Sequence, residues 1–224
     1  MTTNFYVDGY NLYYGCLKHS AYKWLDLKSL LADKILHAQD PAAELGVIKF
    51  FTADVKAKIA SRGQSAQTSQ LQYHRALEIL YPDEISVIKG FYNLERANLP
   101  VYKKPPDKND RVEVWRLEEK QTDVNIVLEA YRDACKGKAQ QLVFVTNDSD
   151  IEPALKALRE DFGNSIRIGV VVPRLRSNHR PSNVSLSQYA DWTRHHILED
   201  ELLQSQLPDQ VPTRKKPIKR PDYW

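Results

Sequence analysis

The chain has 224 residues, 42% hydrophobic and 27% charged, with a formal net charge of +3. That supports one sizeable core, or one core and a tail, and excludes a disordered chain or one dependent on disulfide or metal staples. No apolar run approaches the roughly 18 residues needed to span a bilayer, no leader-like segment opens the chain, and Cys16 and Cys135 lack metal-ligand spacing, so a cytoplasmic protein with reduced thiols and no membrane partner is expected.

Residues 4–7 are short and apolar and predict a first strand ending at Asp8-Gly9. Leu27, Leu30, Leu31, Ile35 and Leu36 follow helical spacing. A second strand is predicted at 46–52, a helix at 65–80 stopped by Tyr81-Pro82, and a third strand at 85–89. The Pro-, Lys- and Asp-rich stretch 98–113 lacks a helical period and reads as a long loop or irregular hairpin. Val124, Val127, Leu128, Tyr131 and Ala134 mark an amphipathic helix closed by Gly137.

Residues 142–146 (LVFVT) form a continuous apolar run of the kind buried on both sheet faces. A helix follows at 151–161, with Ser149 and Glu152 at capping-box spacing and Pro153 in its first turn. Residues 166–172 predict a last buried strand and 186–203 a helical region. This alternation argues an α/β fold with a mostly parallel central sheet, spanning 1–205, with a basic, proline-containing flexible tail over 206–224.

In open parallel sheets ligands gather beyond the carboxyl ends of the strands. Asp8 follows the first strand, Asp148 and Asp150 follow LVFVT, and Asp123 opens a helix. Each alone has a structural reading as a turn, a cap or a dipole partner. Together they repel one another, and a cation relieves that repulsion. Carboxylates without His or Cys suit Mg²⁺ or Mn²⁺ rather than Zn²⁺, and the six histidines do not pair at metal spacing. Three basic groups point to a phosphate-backbone partner: Lys103, Lys104 and Lys108; Arg174, Arg176, His179 and Arg180; and Arg214, Lys215, Lys216, Lys219 and Arg220.

FYVDGYNLYY (5–14), EEKQTDVNIVLEAYRDA (118–134) and LVFVTNDSDIEPALKAL (142–158) resemble, in order, the three signature blocks of the NYN domain family. The similarity is to its LabA-like branch, and it implies a PIN-like, Rossmann-like three-layer sandwich. It further implies a metal-dependent ribonuclease that attacks RNA phosphodiesters with water. On this resemblance Asp8, Asp123, Asp148 and Asp150 match the metal-site acids, Asn11 the asparagine that holds substrate or metal-bound water, and Lys120 the lysine of a K-G-x-D-V block. Gln121 replaces that block's glycine. Lys120, Arg174 and Arg176 are candidate phosphate contacts, and Tyr10 a stacking surface for unpaired bases.

The alternative is a catalytically weak RNA-binding or scaffolding protein of the same fold, and a homodimer is compatible with either. A haloacid-dehalogenase-type phosphatase is disfavoured because the first loop reads D-G-Y-N rather than D-x-D. A nucleotide-binding oxidoreductase is disfavoured because no G-x-G-x-x-G follows a strand.

Overall fold

The computed structural model describes residues 1–177 and 184–224. His179 and Arg180 of the second basic group lie outside the described residues. In chain order the elements are β1 (Thr2–Asp8), α1 (Gly9–Leu12) with a π-helical continuation Tyr13–Leu17, a second π-helical segment Ser29–Leu36 running into α2 (His37–Gln39), β2 (Glu44–Ala53), α3 (Gly63–Leu80), β3 (Ile85–Pro100), β4 (Arg111–Lys120) and α4 (Thr122–Cys135). There follow β5 (Gln141–Val145), a 3₁₀ turn Ser149–Ile151, α5 (Glu152–Phe162), a second 3₁₀ turn Gly163–Ser165, β6 (Arg167–Val171), α6 (Val184–Ser187), β7 (Trp192–Arg194), α7 (Glu199–Gln204), β8 (Gln210–Val211) and β9 (Ile218–Lys219).

The central sheet has seven strands in the order β4-β3-β2-β1-β5-β6-β7, parallel except where β4 returns along β3. Strand side chains alternate between two cores, as the pleat requires. Phe5, Val7, Ile48, Phe50, Val143 and Val145 face α3 and the Ser29–Leu36 segment. Tyr6, Phe51, Phe144, Ile168 and Val170 face α4 and α5. The three-layer α/β expectation therefore holds. Among the described residues no helix is long and apolar enough to cross a membrane.

Under α4 the second core admits one buried polar network. Lys49 Nζ donates to Asp133 at 2.5 Å and to Glu129 at 2.7 Å, while Tyr6 Oη and Asn4 Nδ2 donate to the same Asp133 oxygen at 2.8 and 3.2 Å. Burial pushes the Asp133 carboxyl up, but the bonds from Lys49 and Tyr6 outweigh it and hold the group below the usual carboxylate range.

One local expectation is sharpened and three are corrected. The stretch 98–113 takes the hairpin reading, ending a long antiparallel ladder that runs from Phe91 opposite Lys120 to Pro100 opposite Arg111, with residues 101–110 as its loop. On α4 the buried face is Ile126, Ala130, Asp133 and Ala134, whereas Val124 and Leu128 are 59% and 53% exposed. The capping box does not form: Asp148, not Ser149, accepts the Asp150 N–H, and Glu152 instead accepts from Gln188. The region 186–203 contains β7 between two short helices.

The tail is packed rather than flexible. β8 and β9 pair, Val211 and Ile218 are buried, and Trp224 stacks edge-on against Trp24 and Tyr73. Trp24 Nε1 donates to the Pro208 carbonyl at 2.8 Å. Val211, Ile218 and Trp224, which flank and interrupt the basic run, supply the burial that a purely basic tail would lack.

Candidate metal centre and adjoining cavity

Chain order reverses across the sheet between β1 and β5, and in this class of sheet the crevice beyond such a switch point is where ligands sit. β1 ends there at Asp8 and β5 leads there through Thr146 to Asp148. Gly9 opens α1 where a Cβ would lie 2.6 Å from the Phe51 carbonyl oxygen and 2.9 Å from the Phe50 ring. Only glycine lets the chain turn so close to β2.

Asp8 is 3% exposed and caps α1, accepting the Tyr10 and Asn11 N–H groups at 3.1 and 2.9 Å on Oδ1. Its Oδ2 accepts from Asn11 Nδ2 at 2.6 Å and from Thr146 Oγ1 at 3.1 Å. Thr146 Oγ1 in turn accepts the Asp148 N–H at 3.0 Å, so the β1 and β5 ends are tied together. Asn11 Oδ1 accepts the Asn147 N–H at 3.3 Å.

The β3–β4 hairpin brings the remaining acids. β3 runs past the sheet edge, and β4 returns to it at Lys120, delivering Glu119 at its end and Asp123 in the first turn of α4. Gln121, at the position of the expected glycine, makes the turn with a left-handed backbone at φ 76°. Gly90 of β3 admits this turn, since a Cβ there would meet the Lys120 carbonyl and the Thr122 hydroxyl oxygens at 2.4 and 2.7 Å.

Asp8, Asp123 and Asp148 each place a carboxylate oxygen within 4.8 Å of the others. A cleft of about 260 Å³ opens over them, lined also by Tyr10, Asn11, Tyr14, Thr122 and Glu119. Asp150 is exposed and stands outside the triad, although its charge reaches Asp123. Burial raises the Asp8 carboxyl against the bonds from Asn11 and Thr146, with Asp148 adding to the rise. Burial, then the charges of Asp8, Asp148 and Asp150, pushes Asp123 up to about 6.

Glu119 was not among the expected acids. Burial pushes it up to about 7, opposed by a short hydrogen bond from Thr122 Oγ1 and reinforced by Asp8 and Asp123. Within EEKQTD only the hairpin register distinguishes it from Glu118, which points away and pairs with Lys120 at 2.7 Å and Arg116 at 2.8 Å.

Of the expected cations, none lines the cleft among the described residues. Lys120 is held by Glu118, Arg174 Nε donates to the His195 carbonyl at 2.8 Å, and Arg176 is exposed. Tyr10 does line it, with its hydroxyl donating to the Ala53 carbonyl at 2.6 Å and its ring edge-on to Tyr92. Behind Tyr10 and Tyr14, which border both spaces, lies a second cavity of about 330 Å³ under α3.

Fold and site define a three-layer α/β protein with a carboxylate centre at the switch point of a parallel sheet. The chain is 41% identical to the 6-hydroxy-3-succinoylpyridine 3-monooxygenase HspA of Pseudomonas putida over 240 aligned positions, covering 100% of this chain and 75% of that protein. It belongs to that monooxygenase's family. A Vibrio parahaemolyticus RIMD 2210633 protein of unknown function is similar in fold, with a TM-score of 0.52 and 18% identity over 89% of this chain and 94% of that one. No family model matches the chain.

The expectation of a metal-dependent ribonuclease, and with it the nuclease and hydrolase class, is overturned by this relative, whose name points to an oxidoreductase. The physical reason is that converging carboxylates select a hard cation without selecting the reaction run beside it. The missing G-x-G-x-x-G likewise argues only against a dinucleotide held in that type of loop, not against redox chemistry as a class.

Proposed function

We propose that this protein is a monooxygenase-class oxidoreductase acting on a 6-hydroxypyridine with a succinoyl-type side chain. The observation that carries the reading is the 41% identity to HspA across the whole chain. Monooxygenation places one atom of O₂ in the substrate and reduces the other to water, consuming two protons and two electrons from an external reductant of the reduced-nicotinamide class.

Asp8, Asp123 and Asp148 are suited to hold a divalent cation. All three are hard oxygen donors, they converge, and the burial and mutual repulsion that raise Asp8 and Asp123 are relieved by positive charge. A bound Mg²⁺ or Mn²⁺ supplies positive charge that stabilises oxygen anions developing beside it. Asn11 and Thr146 orient Asp8 for that role. Glu119, with its carboxyl pushed up to about 7, is suited to exchange a proton at neutral pH with a group held in the acidic cleft. The likeness to NYN domains is kept as a proposal for the origin of this acidic centre.

The test is oxygen uptake coupled to loss of 6-hydroxy-3-succinoylpyridine, with the purified chain supplied with NADH and flavin, and with Mg²⁺, Mn²⁺ or EDTA. We expect substrate-dependent uptake that Asp148→Asn lowers at least a hundredfold and EDTA suppresses. No uptake by folded protein under any of these conditions overturns the oxygenase reading. Uptake indifferent to both EDTA and Asp148→Asn removes the metal centre from it.

A further inference from the structure

The second cavity has a composition opposite to that of the acidic cleft. Phe50, Tyr73, His74 and Trp224 line it, and Tyr10 and Tyr14 separate it from the cleft. No Asp or Glu lines it among the described residues, and Lys23 and Lys56, which do line it, have no acidic side chain there to pair with. Its volume of about 330 Å³ is at the small end of ligand pockets, suited to a single ring with a short substituent. Aromatic walls favour flat rings through offset and edge-on contacts.

A second observation points to a polar ligand. His74 is 4% exposed, sits edge-on to Phe50, and its Nδ1 has no hydrogen-bond partner among the described residues. Buried polar atoms without a partner are rare, and ligand sites are one place where they occur. Burial, followed by the charge of Lys89, lowers the imidazole to about 4, so it is neutral at physiological pH. A neutral imidazole both donates and accepts, matching the hydroxyl and ring nitrogen of a hydroxypyridine.

We infer that this aromatic cavity is the binding site for a hydroxylated N-heteroaromatic carboxylate, its ring among Phe50, Tyr73 and His74 and its carboxylate at Lys23 and Lys56. The inference rests on the monooxygenase reading for the ligand's class. The site itself follows from the aromatic lining, the buried histidine and the two lysines among the lining residues. It places the ring against Tyr10 and Tyr14, the shared wall beyond which the carboxylates lie.

The test is isothermal titration of the full chain, separately from turnover, with 6-hydroxy-3-succinoylpyridine and with uncharged 2-hydroxypyridine. Ala66→Phe fills the cavity from α3, and the Lys23→Met, Lys56→Met pair removes the lysine charge at residues outside both cores. Wild type should bind the carboxylate at least tenfold more tightly than 2-hydroxypyridine. The double lysine variant should abolish that preference, and Ala66→Phe should weaken both ligands at least tenfold. Absence of binding by wild type, or equal binding by every folded variant, overturns the site. Should Ala66→Phe fail to fold, the lysine pair decides alone. Variant-sensitive binding without oxygenation keeps the cavity and removes the monooxygenase reading. Oxygenation undiminished in these variants does the reverse.

Discussion

Asp8, Glu119, Asp123 and Asp148 share one cleft, and their crowding sets how stability responds to pH. A carboxyl with a higher pKa folded than unfolded binds its proton more tightly in the fold. Its charge therefore destabilises the fold above the folded pKa, and that cost fades as pH falls to the unfolded value. For Glu119 the window runs from about 7 down to 4.5, and for Asp123 from about 6 down to 3.8. His74 acts in the opposite sense, losing stability as pH falls from 6.5 to about 4, so the carboxyl effect must be read as a difference between variants. In EDTA, Glu119→Gln should be more stable than wild type at pH 8, with the gain shrinking by pH 5. Urea midpoints at the two values check this. A gain of the same size at both, or a loss at pH 8, contradicts the cause assigned to the shift.

At the scale of elements, α4 is oriented by its buried polar network as much as by its apolar residues. Asp133 must reach Lys49, Tyr6 and Asn4, and that requirement turns Ile126 and Ala130 inward and leaves Val124 and Leu128 outside. Ile126→Ala should cost about 2–4 kcal/mol, in the range of buried aliphatic truncations, and Leu128→Ala less than about 1 kcal/mol. Urea unfolding of the two variants compares them directly. Equal losses would mean that the two faces are not distinguished by burial. The β3–β4 hairpin has an equally specific role, since without its return to the sheet edge neither Glu119 nor Asp123 would face Asp8.

For the molecule as a whole, residues 208–224 complete a core that is otherwise open beside Trp24. Val211 and Ile218 are fully or almost fully buried, and each contributes about 1.5–3 kcal/mol by burial alone. Ending the chain after Leu207 should therefore lower stability by at least about 3 kcal/mol, a large share of the 5–15 kcal/mol typical of a domain. Lys215→Gln and Lys216→Gln, both exposed, should change it little. Chemical denaturation followed by tryptophan fluorescence is the measurement. A truncated chain as stable as the full one would mean that the tail only rests on the surface.

Much of the architecture was legible because strands and helices are local patterns. The LVFV of residues 142–145 is apolar at every position because its strand is covered on both faces, and the chain alternates between two periodicities. The acids after β1 and β5 were legible for the same reason: parallel strands put their carboxyl ends at one edge. Asp123 was found with them, while Glu119 was missed and Asp150 overrated. Which of two adjacent glutamates faces the cleft depends on the register of a hairpin ten residue pairs long.

The sequence by itself determined a three-layer α/β fold and put Asp8 and Asp148 at one sheet edge, because both follow from short-range pattern and strand direction. The packed tail, the rotation of α4 and the aromatic cavity were decided only by tertiary structure. Trp224 meets Trp24 and Tyr73 across contacts some 150 to 200 positions long, and no local period encodes a meeting at that distance.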